Sequence, residues 1–243
     1  MIAVAPFVGS FLGVLVLRLP QERPVGWGRS VCDHCGHRLA ARDLVPLASY
    51  LLLSGRCRYC RASIGWFAPA MELGAVAVAA WAAAVGTSGW LLVASCILGW
   101  MLLVLAVIDW RTHLLLDVLT LPLLGLGLAV AYTIDPGSWP NSLIGAAAGF
   151  AGMAMLAFVY AQLRGREGLG LGDAKLLAAI GAWVSWQGLA TVLLWGSMLG
   201  LLYALMRAAI GGGLRLSDRL PFGTFLAAGG WIVWLHGPLL LAL

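Results

Sequence analysis

Charge is what this sequence has least of. Only 10% of its 243 residues are Asp, Glu, Lys or Arg, against about 25% in a soluble globular chain. That scarcity excludes an ordinary cytosolic enzyme. It also excludes a disordered binding segment, which combines low hydrophobicity with many charges. No Gly-x-Ser-x-Gly and no His-Glu-x-x-His segment occurs, so serine-hydrolase and zinc-protease chemistries have no motif here. No Lys or Arg precedes Arg18, so the opening apolar stretch lacks the basic flank of a signal peptide and reads as a retained span. No internal repeat is visible. What fills the chain is apolar: 62% hydrophobic residues and a mean hydropathy of +0.95, the composition of an all-α polytopic membrane protein.

A bilayer core takes about 20 apolar residues as a helix. Residues 1–17 make a first candidate. The stretch 73–108 is free of charge for 36 residues, too long for one crossing, and breaks naturally at Gly86-Thr87-Ser88-Gly89. A fourth span runs from Leu114 to Ile134 and stops at the turn Asp135-Pro136-Gly137. A fifth runs from Ser142 to Leu163. The stretch 176–206 is again too long and divides near Ser185-Trp186-Gln187-Gly188, so the sixth span is short and begins near Gly170. An eighth starts at Pro221. Most of the 32 glycines read as close helix-packing positions. Trp66, Trp90, Trp139 and Trp186 read as interfacial anchors.

Basic loops stay cytoplasmic. Eight arginines lie between Arg18 and Arg61, and the other seven basic residues are Arg111, Arg164, Arg166, Lys175, Arg207, Arg215 and Arg219. Eight spans with both termini outside put all 15 on one side. The opposite loops, at 86–89, 135–141 and 185–188, then hold none. A seven-span map would part Arg164 from Arg207. The net charge of +5 therefore records membrane orientation and attraction to anionic lipid rather than nucleic-acid binding.

The one sizeable polar segment, 19–66, holds Cys32-x-x-Cys35 and Cys57-x-x-Cys60 with 21 residues between the pairs. Two such knuckles place four thiolates tetrahedrally around a structural Zn²⁺. Disulfides are the rival reading, and a reducing cytoplasmic loop disfavours them. His34 and His37 lie in and beside the first knuckle as competing ligands or solvated loop residues. Cys96 stands alone in an apolar span as a packing residue.

Five acids fall in or beside the spans: Glu72, Asp109, Asp117, Glu167 and Asp173. Ionisable groups in lipid are functional candidates by default. Asp109 ends the third span, Asp117 opens the fourth, and Asp173 starts the sixth after Gly170-Leu171-Gly172. The two glycines let the backbone turn and a neighbouring helix approach. Asp109 and Asp117 on one helix would stand about 12 Å apart, so the pair chosen is Asp109 with Asp173, from separate helices. Two adjacent carboxyls share one proton and can hydrolyse an amide by general acid–base catalysis. The alternative stays open: the acids snorkel to the interface and pair with Arg111 or Lys175. Glu167 and Lys175 orient the loop around Asp173 or are simply solvated, and Asp117 is a supporting residue.

The order of these segments resembles the type IV prepilin peptidases, or prepilin leader peptidase/N-methyltransferases, across nearly the whole chain. Gly9-Ser10-Phe11-Leu12, Arg18-Leu19-Pro20, the paired knuckles, Asp43-Leu44-Val45-Pro46-Leu47, Ser49-Tyr50-Leu51, Glu72, and the Gly-x-Gly-Asp signature within Glu167-Gly168-Leu169-Gly170-Leu171-Gly172-Asp173-Ala174-Lys175 carry the resemblance. It departs from the usual family pattern at Gly13, at Asp33-His34 and at Leu116. The resemblance implies an inner-membrane aspartic protease of prepilins and pseudopilins, serving a type IV pilus or type II secretion system, with Asp109 and Asp173 catalytic. It further implies methylation of the new N-terminus from S-adenosylmethionine by the region 1–85, with residues 86–243 forming the peptidase. A peptidase without methylation and a small proton-coupled transporter are the alternatives.

Overall fold

The computed structural model describes residues 1–26, 30–164, 170–210 and 220–238, and among these the only regular elements are helical. The long helices are α1 (Ala5–Arg18), α3 (Phe67–Ala84), α4 (Gly89–Thr112), α5 (Asp117–Ile134), α6 (Trp139–Arg164), α7 (Leu171–Ala209) and α8 (Phe222–His236), and α2 is a single short turn at Ala48–Leu52. Among the described residues five helices, α3 to α7, are long and apolar enough to cross a membrane, and the helical stretches Ala5–Gln21 and Phe222–His236 are shorter and also apolar. The chain is an all-helical integral membrane protein. Contacts divide it into two units, Met1–Val104 and Leu105–Leu243, with the division inside α4.

In the first unit α1 packs along α3. A methyl group at Gly9 would lie 2.6 Å from the Cα of Glu72, so the two backbones touch only because glycine stands there. The Trp100 indole N–H reaches from α4 to the Ala75 carbonyl of α3 at 3.0 Å, giving a buried polar group its partner. Gly86 and Gly89 both take positive φ, +90° and +58°, and make the break expected between the second and third spans.

The second unit is organised around α7, which packs on α5, α6 and α8. Gly145 of α6 and Gly181 of α7 face each other so closely that a methyl group on either would strike the other's carbonyl oxygen. At 39 residues a straight α7 would run about 58 Å, twice a bilayer core. It is not straight. Ser185 sits at φ 60°, ψ 178° and breaks it into two helices, at the place where the polar cluster Ser185–Gly188 suggests a division. The Ser185 hydroxyl meets that of Ser142 at 3.1 Å. Between α5 and α6 the Gly137 N–H donates to Asp135 Oδ1 at 2.9 Å, the side-chain turn that Asp-Pro-Gly favours.

Candidate active site

Three helix ends meet around Leu115 in the second unit: the last turn of α4, the first turn of α7 and the first turn of α8. α4 stops because His113 adopts φ 55°, its N–H closing on the Asp109 carbonyl at 2.8 Å. α5 does not begin until Asp117, after extended Leu116. Asp109 and Asp117 therefore do not share one helix.

Asp109 is 5% exposed. Its Oδ2 accepts the Thr224 backbone N–H at 2.7 Å and meets the Thr224 hydroxyl at 3.1 Å. That hydroxyl shares its proton with the Ala106 carbonyl, one turn back along α4, at 2.8 Å. Gly223 lets the end of α4 come this close: a methyl group there would lie 3.1 Å from the Asp109 carboxyl carbon and 2.9 Å from Leu115 Cδ1. The same Leu115 side chain would touch a methyl at Gly172, at 3.0 Å. Leu115 thus lies between the starts of α7 and α8, against the end of α4.

Asp173 is the third residue of α7, half-buried, its N–H donating to the Gly170 carbonyl at 3.1 Å. Gly170 is the N-cap, in extended conformation. Leu115 packs beside Gly172, which precedes Asp173, and beside Gly223, which adjoins the Asp109 carboxyl. Lys175 does not bind Asp173; its ammonium donates to both oxygens of Asp117, at 2.8 and 2.7 Å. That pair fastens the start of α5 to the first turn of α7. Glu167 lies outside the described residues.

Sequence reasoning missed Thr224, Gly223 and Leu115. Pro221-Phe222-Gly223-Thr224 at the head of an apolar run carries a helix-start signal. Nothing in that signal shows that the first-turn donor serves a carboxylate 115 residues away.

In the first unit, Cys32, Cys35, Cys57 and Cys60 bring their four sulfurs within 4.8 Å of one another. All are free thiols. Cys32 and Cys60 Sγ stand 3.8 Å apart, far beyond the roughly 2.0 Å of a disulfide and equal to the edge of a tetrahedron with metal–sulfur bonds of about 2.3 Å. Both knuckles are built alike. Cys32 N–H donates to the His37 carbonyl at 2.9 Å, and Cys57 N–H to that of Ala62 at 2.8 Å. Gly36 and Arg61, each four residues past the first Cys of its knuckle, both take positive φ. N–H groups of Cys35 and then His34 pull the Cys32 thiol down to about 6. At Cys60 the Ala62 N–H pulls down, but desolvation and the neighbouring sulfurs outweigh it and push that thiol up to about 11. Four thiols crowded this way can hold a metal ion once deprotonated. His37 stacks on Tyr59 with ring centroids 3.6 Å apart. Asp43 accepts from Arg58 Nε at 2.6 Å and from the Ala40 N–H at 3.2 Å, and the Arg58 guanidinium foremost holds its carboxyl below the usual range. Glu72, 6% exposed in α3, accepts the Leu47 N–H at 2.7 Å and so ties this loop to its span.

The family described as the bacterial peptidase A24 N-terminal domain matches residues 3–85, and the type IV leader peptidase family matches residues 96–205. A prepilin leader peptidase/N-methyltransferase of Burkholderia pseudomallei is 41% identical, covering 92% of this chain and 80% of its own. Proteins of the same name from Aeromonas hydrophila and Pseudomonas aeruginosa are 38% and 35% identical, each over 95% of this chain and 87% of their own. No solved structure matches. With two relatives above 35% along almost its entire length, the chain belongs to the type IV leader peptidase family.

Proposed function

We propose that this chain is an inner-membrane prepilin peptidase that removes the basic leader of prepilins or pseudopilins and then N-methylates the new N-terminus. What supports the reading is the packing of Leu115 against Gly172, next to Asp173, and against Gly223, next to the Asp109 carboxyl, in a chain whose relatives bear the peptidase and methyltransferase names. Asp109 and Asp173 hold one proton between them. The ionised carboxylate takes a proton from water as its oxygen attacks the scissile carbonyl carbon, and the neutral carboxyl gives its proton to the carbonyl oxygen. Collapse of the resulting diol, with a proton delivered to the amide nitrogen, breaks the C–N bond. No covalent enzyme intermediate forms.

The dyad and the Cys loop face the cytoplasm, where a leader stays charged while the apolar helix behind it remains in lipid. Gly170 and Gly172 shape the approach to Asp173, and the Lys175–Asp117 pair supports it. Residues 86–243 do the cleavage; residues 1–85 carry methylation, with S-adenosylmethionine as methyl donor. Cys32, Cys35, Cys57 and Cys60 hold a structural Zn²⁺, which suits a closed set of four sulfurs and supplies folding energy to a loop too small for a core. No step of the hydrolysis passes through it.

The test is to incubate the purified chain in lipid with a prepilin carrying its leader and with methyl-labelled S-adenosylmethionine. Leader release and label on the mature N-terminus are expected. Release without label leaves a peptidase that does not methylate; an intact prepilin refutes the proposal.

A further inference from the structure

Thr224 is the one polar side chain among the described residues that hydrogen-bonds Asp109. We propose that Thr224 is a positioning residue for the hydrolysis: it fixes Asp109 so that Oδ2 is occupied and Oδ1 is left to face water and substrate. The inference rests on the dyad reading above.

The geometry is specific. The first N–H groups of a helix have no partner within it. At α8 the Thr224 N–H, in the first turn, finds Asp109 Oδ2 at 2.7 Å. The Thr224 hydroxyl has a single proton. It lies 2.8 Å from the Ala106 carbonyl oxygen and 3.1 Å from the same Oδ2, so that proton is shared in a three-centre hydrogen bond between the backbone of α4 and the acid one turn further on. Both contacts fall on one carboxylate oxygen. Oδ1 receives no hydrogen bond among the described residues. A carboxylate on a free side chain would rotate about its last torsion and exchange its oxygens. This one is held at Oδ2 from two directions, with Gly223 allowing the approach. A general acid or base placed an ångström off loses much of its rate, and the hydroxyl acts on rate by preventing that displacement.

Three substitutions and one control test this, with steady-state cleavage of a prepilin peptide by the full chain in lipid. Thr224→Val keeps the shape and the N–H and removes the hydroxyl; kcat is expected to fall about 10-fold, the scale of one hydrogen bond, with KM unchanged. Thr224→Ser restores the hydroxyl and is expected to stay within about 3-fold of wild type. Thr224→Pro removes both donors while fitting a helix first turn, and its kcat is expected to fall below that of the Val variant. Wild-type kcat in Thr224→Val overturns the inference, and so does a Ser variant as slow as Val, because a merely structural position would not distinguish them by the hydroxyl. Asp109→Ala separates the two levels. Full activity in Asp109→Ala sinks the dyad itself; an inactive Asp109→Ala beside a fully active Thr224→Val sinks only the role of Thr224.

Discussion

Asp109 and Asp173 are held by different means. Asp109 is fastened by Thr224 from another helix, whereas Asp173 owes its place to its own helix start, after extended Gly170. Of the five acids for which sequence reasoning left a pairing with Lys175 open, Asp117 is the one among the described residues that makes it. The Cys cluster is the residue-scale feature that spacing revealed most completely, because two Cys-x-x-Cys turns can meet in few ways. Metal analysis of the purified chain should give about one Zn per chain, lost in Cys32→Ser and in Cys57→Ser. Retention of zinc by either variant would show that the four sulfurs do not act as one site.

Among the elements, α7 tests whether a helix break is built into the sequence or forced by neighbours. Ser185 occupies a backbone region that is essentially glycine's own, and its hydroxyl faces Ser142. Ser185→Gly and Ser185→Ala lose the same hydroxyl contact, but only glycine relieves the backbone. The Gly variant is therefore expected to be about 1–3 kcal/mol more stable than the Ala variant, read from unfolding in detergent; equal stabilities would mean the break is unstrained. The position of this break was legible because a polar cluster interrupts an apolar run, as were the turns at 86–89 and 135–137, which rest on local glycine, proline and aspartate chemistry. The closeness of Gly145 to Gly181, and of Leu115 to Gly172 and Gly223, was not. Glycine in a membrane helix announces that something packs closely but never names what.

For the whole molecule, an eight-span map, which would put all 15 basic residues on one side, predicts orientation. Ser88→Cys, between α3 and α4, is expected to react with a membrane-impermeant thiol reagent in intact cells, and labelling only after lysis would reverse the orientation. The peptidase reading was legible at this scale because many short segments recur in order. Each rests on a constrained backbone or a charged group that lipid makes costly. The supporting contacts of Asp109 were not legible, since they join residues 115 apart that only the finished fold brings together. The central claim is that two acids far apart in sequence split one amide together. The most direct measurement is prepilin cleavage by the wild-type chain, Asp109→Asn and Asp173→Asn, each folded and in lipid. Each variant is predicted to lose at least about 1000-fold in kcat, with the double variant no worse than either alone, as groups acting as one unit behave. Near wild-type cleavage by either single variant would contradict it.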